Sequence, residues 1–224
     1  MNGILYLNTE MFKDEVLFQK GFGMISSDRR EKIGKFKNPL PARLSLGAGV
    51  LLRIALERNG LFDKLEEIKT GEYGKPYLEG VDFHFSLSHS GAYVVCAFSD
   101  VSVGVDLQVI KETMPIHTRK ILSEEERSYL EHLSEENKNE AFYRLWTRKE
   151  SLIKWDGRGL RLPMHEHSFI ENGYISDVLS FEGKALYFKE YDSILSGYAI
   201  CLCNENNIFP KEMEEINSRI LTKY

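Results

Sequence analysis

The sequence predicts a soluble protein that mixes helices with short strands, and three observations support this prediction. Hydrophobic residues make up 42% of the 224 residues and charged residues 28%, which is ordinary for a folded soluble protein. Short apolar runs such as residues 93–98 are typical of strands. A longer apolar segment, residues 42–58, follows two prolines and ends at Asn59-Gly60, which is typical of a helix. The length fits one large domain or two small ones.

Charge, hydropathy and the amino-terminal residues narrow the class of protein. The formal net charge of -5 disfavours broad nucleic-acid binding, so we expect no nucleic-acid partner. No stretch approaches the ~18 apolar residues that a membrane helix needs, so we expect no membrane span. The first seven residues lack a basic region and a small-residue cleavage site, which favours a first strand over a secretion signal and predicts a cytoplasmic protein.

The cysteines also indicate a cytoplasmic protein. Cys96, Cys201 and Cys203 are odd in number and lie in strand-like apolar runs. This pattern argues against a disulfide framework or a zinc site. We expect buried free thiols.

After the first strand, residues 26–36 are predicted to form a short helix capped by Ser27 or Asp28. Arg29 and Lys32 are three residues apart and would share one face of this helix. The pair could hold a phosphate, and a solvated charge run is the alternative interpretation.

The second predicted helix, residues 42–58, should pack in the core, with Ser45 near its amino end able to offer a hydroxyl to an anion. Residues 72–77 then read as a turn, because Gly74 permits unusual backbone angles and Pro76 prevents regular continuation. Lys75 is expected to be exposed in this turn, close enough to a ligand to contact it.

Three strands are predicted next. Residues 83–87 alternate apolar and polar positions and lead into Ser88-His-Ser-Gly91, which places His89 in a turn at the strand end. Residues 93–98 and 101–108 follow as a possible hairpin.

Alternation within residues 101–108 predicts two different faces. Val103, Val105 and Leu107 should face the core, and a second set should face the other side. That second set comprises Gly104, Asp106 and Gln108. A glycine beside an acid indicates that something approaches closely, which makes Asp106 a candidate ligand of a hard metal ion, with a solvated acid as the alternative.

The remaining chain is predicted to contain three helices and three further strands. Ser123-Glu-Glu-Glu126 has the capping-box pattern, so Glu126 has a structural explanation rather than a catalytic one. Strands are expected near residues 174–175, 185–188 and 198–202, with Pro210 starting a final short helix. His165 and His167 would suit a metal only if a strand placed both on one face.

The stretch from Phe142 to Leu160 carries the densest chemistry. At about 100° per residue a helical face would contain Phe142, Leu145, Trp146, Lys149 and Ile153. Glu150 and Lys154 lie one turn apart on its flank, where they could meet a charged ligand or form an ordinary surface ion pair.

Four motifs together resemble the 4′-phosphopantetheinyl transferases of the surfactin-synthetase type. They are Tyr73-Gly-Lys-Pro76, Phe85-Ser-Leu-Ser-His-Ser90, Val103-Gly-Val-Asp106, and Trp146-Thr-Arg-Lys-Glu-Ser-Leu-Ile-Lys154 followed by Gly157-Arg-Gly-Leu160. Each motif is weak by itself, but their order and spacing are those of the family.

The resemblance implies an α+β fold of two similar halves in pseudo-twofold relation, each a helix packed on a small antiparallel sheet. The halves would be residues 1–105, with contacts to the nucleotide, and residues 106–224, with the metal site and catalytic helix. The active site would lie in the cleft between them.

The resemblance also implies the reaction, in which a carrier-protein serine attacks the β-phosphate of coenzyme A, the substrate, and adenosine 3′,5′-bisphosphate leaves. Mg²⁺ would be held by Asp106, Glu150 and the residue at position 108, and Lys154 would contact the phosphates. The family's nucleotide-binding positions correspond to Arg29, Lys32, Ser45, Gly74, Lys75, Ser88 and His89. Glu150 or a metal-bound water would take the serine proton.

This sequence departs from the family at one metal position. The family commonly has a second acid where Gln108 stands. Gln108 could offer its carbonyl oxygen or leave the place to water. Alternatively, the chain is a coenzyme A-binding module with impaired turnover. A magnesium-dependent nucleotide phosphohydrolase would use the same acids with water as the nucleophile.

The implied partner is an acyl or peptidyl carrier protein. By resemblance, residues 109–122 form the segment on which the carrier docks. Because one chain would supply both sides of the cleft, we expect a monomer.

Overall fold

The computed structural model of the protein describes residues 2–113 and 121–224. Its strands are β1 (Gly3–Asn8), β2 (Lys69–Thr70), β3 (Pro76–Tyr77), β4 (His84–Ser90), β5 (Tyr93–Ser99), β6 (Val103–Val109), β7 (Ile170–Glu171), β8 (Tyr174–Ile175), β9 (Val178–Phe181), β10 (Lys184–Glu190), β11 (Tyr198–Asn204) and β12 (Glu214–Glu215). Its α-helices are α1 (Glu15–Met24), α2 (Ser27–Gly34), α3 (Pro39–Arg58), α4 (Glu124–Glu131), α5 (Glu135–Asp156) and α6 (Ser218–Leu221). Short 3-10 helices cover Thr9–Lys13, Phe62–Glu67, Gly159–Arg161 and Met164–Glu166.

Two four-stranded sheets lie at the centre of the fold, in the orders β12-β1-β5-β4 and β6-β11-β10-β9. Neighbouring strands are antiparallel except for the short parallel pair of β1 and β12. The long helix α3 packs on the first sheet and the long helix α5 on the second. The predicted α+β class is therefore confirmed, and the arrangement agrees with two similar halves, each a helix on a small antiparallel sheet.

Three apolar clusters follow from the alternation of side chains along the strands. One lies between α3 and the first sheet, and a second lies between α5 and the second sheet. The third is built from both sheets, and it includes Val95 and Ala97 of β5 with Val105 and Leu107 of β6. The predicted inward face of β6 is thus correct, because its valines and leucine fill the space between the sheets.

Several predicted elements differ from the structure. β5 and β6 do not form a hairpin: β5 pairs with β1 and β4, whereas β6 pairs with β11 in the other sheet. Propensity identifies strands but not their partners, which depend on packing across the whole chain. Ser26 rather than Ser27 or Asp28 occupies the cap position of α2.

The carboxyl-terminal segment also differs from its prediction. Pro210 starts no helix, and its carbonyl oxygen instead accepts hydrogen bonds from Lys189 and Tyr191. The final helix α6 begins at Ser218, after Asn217, whose side chain accepts a hydrogen bond from the Ile220 amide. This terminus returns to the first sheet, where β12 pairs with β1. The boundary near residue 105 stays a prediction.

Two expectations from composition have structural answers. We expected no stretch long and apolar enough to cross a membrane, but α3 meets both criteria. Of its most apolar 18 residues, 67% are buried inside the protein, as in a core helix. Cys96, Cys201 and Cys203 are buried free thiols, as predicted.

Candidate active site

The helix α5 presents Glu150 and Lys154 from a fixed position on the second sheet. It ends at Asp156, and the next residue, Gly157, has a φ of 92° and donates its amide hydrogen to the Ile153 carbonyl oxygen at 2.8 Å. Glycine adopts this left-handed conformation without the steric cost that a Cβ atom adds. Gly157, the first of the spaced glycines after the helix, therefore stops the helix.

Gly104 of β6 allows α5 to lie directly against the sheet. A Cβ atom at Gly104 would lie 2.0 Å from the Ser151 carbonyl oxygen and 2.5 Å from the Trp155 amide nitrogen. No side chain fits in that space. The close approach that the sequence predicted beside Asp106 is thus the approach of α5 itself, which brings the helix to the acid.

Asp106 is 1% exposed, and three side chains donate hydrogen bonds to its carboxylate. Ser88 Oγ lies 2.8 Å from Oδ1, Lys154 Nζ lies 2.6 Å from Oδ1, and Gln108 Nε2 lies 3.0 Å from Oδ2. A buried carboxylate requires such partners, because its charge has lost the hydration that stabilises it in water. The alternative of a solvated acid is excluded.

Glu150 faces the same group of charges. Burial is the largest cause that raises the pKa of the Glu150 carboxyl, and the negative charge of Asp106 is the second. The positive charge of Lys154 and a hydrogen bond with Trp146 act in the opposite direction. The two carboxylates therefore repel each other in a poorly hydrated place, which is where a cation is stabilised most.

The donor set suits a hard divalent cation. Asp106 and Glu150 supply carboxylate oxygens, and the Gln108 amide could turn its oxygen toward a metal, since its two ends differ little in shape. Within residues 2–113 and 121–224, no three His, Cys, Asp or Glu side chains form a metal-binding group. Mg²⁺ keeps several waters and needs only one or two carboxylates, so these residues fit it.

The edge strands β4 and β6 lie side by side, and serine side chains join them instead of a main-chain ladder. The bonds run from Val105 N to Ser86 Oγ at 3.0 Å, from Leu107 N to Ser88 Oγ at 3.2 Å, and from Val109 N to Ser90 Oγ at 3.0 Å. We call these three contacts the serine seam. The seam brings Ser88 of the first sheet to Asp106 of the second.

Lys154 completes the link between the two sheets. Its Nζ donates to Ser88 Oγ at 2.7 Å as well as to Asp106. His89 lies within β4 rather than in a turn, which corrects the sequence prediction. Burial is the largest cause that lowers the pKa of His89, and the positive charge of Lys154 is the second. The charge of Lys32 lowers this pKa as well. His89 therefore lies in a field set by cations from both halves.

Arg29 and Lys32 line a cavity of about 220 Å³ that also includes Thr70 and Pro76. Arg29 Nη1 donates to the Ser45 carbonyl oxygen at 3.1 Å, and burial lowers the pKa of Arg29. In the part of the chain that the structure describes, the buried Ser45 hydroxyl has no hydrogen-bond partner. A guanidinium beside an unused hydroxyl suits an anionic oxygen.

Gly74 and Lys75 line a second cavity of about 220 Å³, together with Lys154. Pro76 lines both cavities, so they adjoin. Lys75 is half-buried rather than exposed, because its Nζ donates to the Trp155 carbonyl oxygen at 2.7 Å. Burial lowers the pKa of Lys75 to about 8. The hairpin of β2 and β3 is thereby fastened to the carboxyl end of α5.

The structure thus brings the predicted residues into one continuous region. Around Asp106 lie Gln108, Glu150, Lys154, Ser88 and His89; the two cavities hold Arg29, Lys32, Gly74 and Lys75, with Ser45 beside Arg29. His165 and His167 lie at a 3-10 turn rather than on a strand. Of the predicted docking segment 109–122, residues 114–120 lie outside the described residues.

Sequence reasoning missed two features of this region. Ser86 and Ser90 were not recognised as links, although their spacing of two from Ser88 places all three on one face of a strand. Glu126 was explained by its capping box, which the structure confirms, but it also forms a buried ion pair with Lys149 at 2.8 Å. No sequence signal identified that pair.

Comparisons with known proteins agree with this geometry. Residues 102–203 match the family model described as the 4′-phosphopantetheinyl transferase superfamily. The chain is 30% identical to the 4′-phosphopantetheinyl transferase Sfp of Bacillus subtilis over 95% of this chain and 96% of that protein. It is 29% identical to the 4′-phosphopantetheinyl transferase gsp of Aneurinibacillus migulanus over 80% of this chain and 76% of that protein.

A mammalian relative extends the comparison. The chain is 31% identical to the L-aminoadipate-semialdehyde dehydrogenase-phosphopantetheinyl transferase of Mus musculus, over 65% of this chain and 52% of that protein. The match to the Bacillus subtilis Sfp protein covers nearly the whole chain, and the family model spans Asp106, Glu150 and Lys154. The chain therefore belongs to the 4′-phosphopantetheinyl transferase superfamily.

Proposed function

We propose that the protein transfers the 4′-phosphopantetheine arm of coenzyme A to a serine of an apo acyl or peptidyl carrier protein in the presence of Mg²⁺. The observation that carries this proposal is the contact of Lys154 with both Ser88 and Asp106, which joins the first half, with its cavity lined by Arg29 and Lys32, to the carboxylates of the second half. A pyrophosphate in this cleft would meet cations from one half and carboxylates from the other. Superfamily membership supports the same reaction.

The transfer is a displacement at the β-phosphorus of coenzyme A. The carrier serine oxygen forms a bond to this phosphorus, and the bond from the phosphorus to the bridging oxygen breaks. The bridging oxygen leaves with adenosine 3′,5′-bisphosphate, and the serine proton passes to Glu150. Glu150 is buried close enough to Asp106 and Lys154 to feel both charges, so its carboxylate lies in the cleft where this proton is released.

Asp106 and Glu150, with Gln108 beside them, would hold the magnesium ion. When bound, Mg²⁺ neutralises phosphate charge that would otherwise repel the nucleophile. Lys154 lies close enough to share that task, because its ammonium already lies against Asp106 and lines the second cavity. A fixed ammonium beside a phosphate also stabilises charge that develops on the leaving oxygen.

The two cavities would hold the nucleotide. Arg29 and Lys32 suit the 3′-phosphate, with the free Ser45 hydroxyl next to Arg29 as a further donor. Gly74 and Lys75 would lie at the adenine side, in the adjoining cavity that includes Lys154. Ser88 contacts Asp106 and Lys154, and His89 lies within electrostatic reach of Lys154, Asp106 and Lys32. Each charge-assisted contact contributes about 1.5–3 kcal/mol.

The test is a carrier-loading assay followed by intact mass measurement. Apo carrier protein, coenzyme A and Mg²⁺ should yield a carrier heavier by one phosphopantetheine, and several carriers should be tried. Glu150→Gln should abolish the mass gain while leaving the melting temperature unchanged. Glu136→Gln, an exposed position on the same helix, is the matched control and should retain transfer.

The same assay separates the alternatives. Tight coenzyme A binding with no mass gain on any carrier would indicate a binding module whose metal site is impaired by Gln108. Release of phosphopantetheine in the absence of a carrier would indicate a phosphohydrolase. Either result would overturn the proposed transfer.

We also propose that the enzyme is a cytoplasmic monomer. Both halves of the cleft come from one chain, so no second copy is needed to complete the site. Three buried free thiols suit a reducing compartment. Light scattering coupled to gel filtration should give the mass of one chain, and a dimer mass would contradict the monomer.

A further inference from the structure

Lys149, the neighbour of Glu150, is fully buried and uses all three of its donors. Its Nζ lies 2.8 Å from a carboxylate oxygen of Glu126, 2.8 Å from the Met164 carbonyl oxygen and 2.7 Å from the His167 carbonyl oxygen. The side chains of Lys149 and Glu126 are both 0% exposed. No water is needed to complete the bonding of this ammonium.

Glu126 is bonded as completely as its partner. Its Oε2 also accepts a hydrogen bond from the Ser123 amide at 2.8 Å, and its Oε1 accepts one from the Phe169 amide at 3.0 Å. The pair therefore connects three separate segments: the start of α4, the middle of α5 and the loop that follows α5. It does so immediately next to Glu150.

Stability does not explain this arrangement. Moving two charges out of water costs free energy that their attraction repays only partly, and apolar residues of similar volume often serve as well or better. The surroundings are otherwise apolar, since Leu130, Leu152 and Phe169 belong to the same buried cluster. A benefit other than stability is therefore the better explanation.

The geometry supplies that benefit. Successive side chains on an α-helix point about 100° apart, so the direction of Lys149 sets the direction of Glu150. Gly104 fixes how closely α5 approaches the sheet, and the apolar side chains of α5 and the buried Arg148, which is paired with Asp177 and Glu190, also orient the helix. Three directed hydrogen bonds from Lys149 add a constraint on the rotation of α5 at the residue next to Glu150.

We propose that Lys149 and Glu126 are positioning residues, and that their buried ion pair fixes the rotation of α5 so that Glu150 faces Asp106. The inference rests on the proposed role of Glu150 at the metal and the carrier serine. Neither residue touches the substrate. Their effect would be on the placement of a carboxylate, which is felt in the rate of the reaction and in metal affinity.

The test uses the double variant Lys149→Met with Glu126→Gln. It removes both charges together, so no unpaired charge stays buried, and glutamine preserves the capping box with Ser123. We expect a lowered melting temperature, because the buried Met164 and His167 carbonyl oxygens lose their donor, and a KM for coenzyme A unchanged within about twofold. The kcat should fall roughly 10-fold to 100-fold, as small misplacements of reacting groups do.

Metal binding provides a readout that does not depend on turnover. Titration with Mn²⁺, followed by the electron paramagnetic resonance of the free ion, should show affinity weakened by about fivefold or more in the double variant. Ile54→Val, a small cavity in the first core, is the control for a general loss of stability. It should leave kcat and Mn²⁺ affinity unchanged.

Wild-type kcat together with wild-type Mn²⁺ affinity in the double variant would overturn the inference. If that variant does not fold, Glu126→Gln alone takes its place, because Lys149 then keeps its two carbonyl acceptors. Failure of the proposed function gives a different result. In that case the wild type itself would show no transfer, whereas the Mn²⁺ affinities of the wild type and the double variant could still be compared.

Discussion

Lys154 Nζ lies 2.6 Å from Asp106 Oδ1, so a buried carboxylate and the cation that neutralises it come from the strand and the helix that face each other across Gly104. The ammonium stands where a divalent cation would also be attracted. It therefore has two expected effects of opposite sign, one on metal binding and one on catalysis.

Lys154→Met should separate these two effects. Without the competing ammonium, Asp106 should bind Mn²⁺ at least as tightly as in the wild type. Transfer should nevertheless fall by about 10²-fold to 10³-fold, because a donor to the phosphates is lost. Lys138→Met, on the same helix and paired with exposed Glu135, is the control. Full transfer by Lys154→Met would refute its role.

Gln108→Glu should lower the Mg²⁺ concentration needed for half-maximal transfer by about tenfold, because a third carboxylate adds charge to the site. Gln108 lies 3.0 Å from Asp106, so the new acid would be next to the ion. Gln19→Glu makes the same change of charge on the exposed side of α1 and is the matched control. An identical Mg²⁺ dependence in both variants would show that residue 108 is not near the ion.

Arg29→Gln and Lys32→Gln should each raise the KM for coenzyme A by about tenfold to a hundredfold, with little change in kcat. Both side chains line one cavity, where they would contact the 3′-phosphate. Dephospho-coenzyme A lacks that phosphate, so the variants should lose the wild-type preference for coenzyme A over it. Arg30→Gln serves as the neighbouring control. An undiminished preference would move the 3′-phosphate elsewhere.

Gly104→Ala should destabilise the fold by roughly 3 kcal/mol or more, because the added Cβ would meet the Ser151 carbonyl oxygen at 2.0 Å. Thermal melting checks this directly. Gly23→Ala on α1 meets nothing within 4 Å and should be neutral or slightly stabilising. Equal melting temperatures for the two variants would mean that α5 can shift without cost.

Because Lys75 is partly buried, we expect the free energy of unfolding to increase at alkaline pH. Burial lowers its pKa to about 8 in the folded protein, whereas an unfolded lysine titrates near ~10.4. Between these values the unfolded chain binds a proton that the folded chain does not, so the free energy of unfolding increases with pH, by on the order of 2–3 kcal/mol over the window.

The measurement is urea unfolding of wild type and Lys75→Met at about pH 8 and about pH 10. Other groups titrate in this range, but they do so in both proteins. The wild type should therefore gain stability relative to the variant as pH rises. A constant difference between the two proteins would contradict a buried Lys75 ammonium.

The order and type of the main elements were predictable, because strands such as β5 and helices such as α5 carry their own periodicity. Their pairing was not. A hairpin of β5 with β6 is locally reasonable, yet β6 finds its partner β11 about ninety residues later, through packing that no local pattern encodes. The same applies to Lys149 and Glu126, which lie on two different helices.

The candidate site was predictable to the extent that each residue lies in a recognisable motif. Asp106, Glu150 and Lys154 were identified as a group only by the family resemblance, and the structure supplies the contacts that explain the group. Lys75 was expected in an exposed turn, but its role at the end of α5 depends on the meeting of two distant segments. The direction and the burial of the Lys75 side chain are properties of the assembled fold.

The serine seam makes the connection between the two halves unusually dependent on side-chain identity. Within a sheet, adjoining strands are held by amides and carbonyls that every substitution except proline leaves in place. Between β4 and β6 the acceptors are hydroxyls, so a single change at Ser86 or Ser90 removes a link outright. Such a change would leave the hydrogen bonds within both sheets intact, so the two halves would then depend on their shared apolar core to stay together.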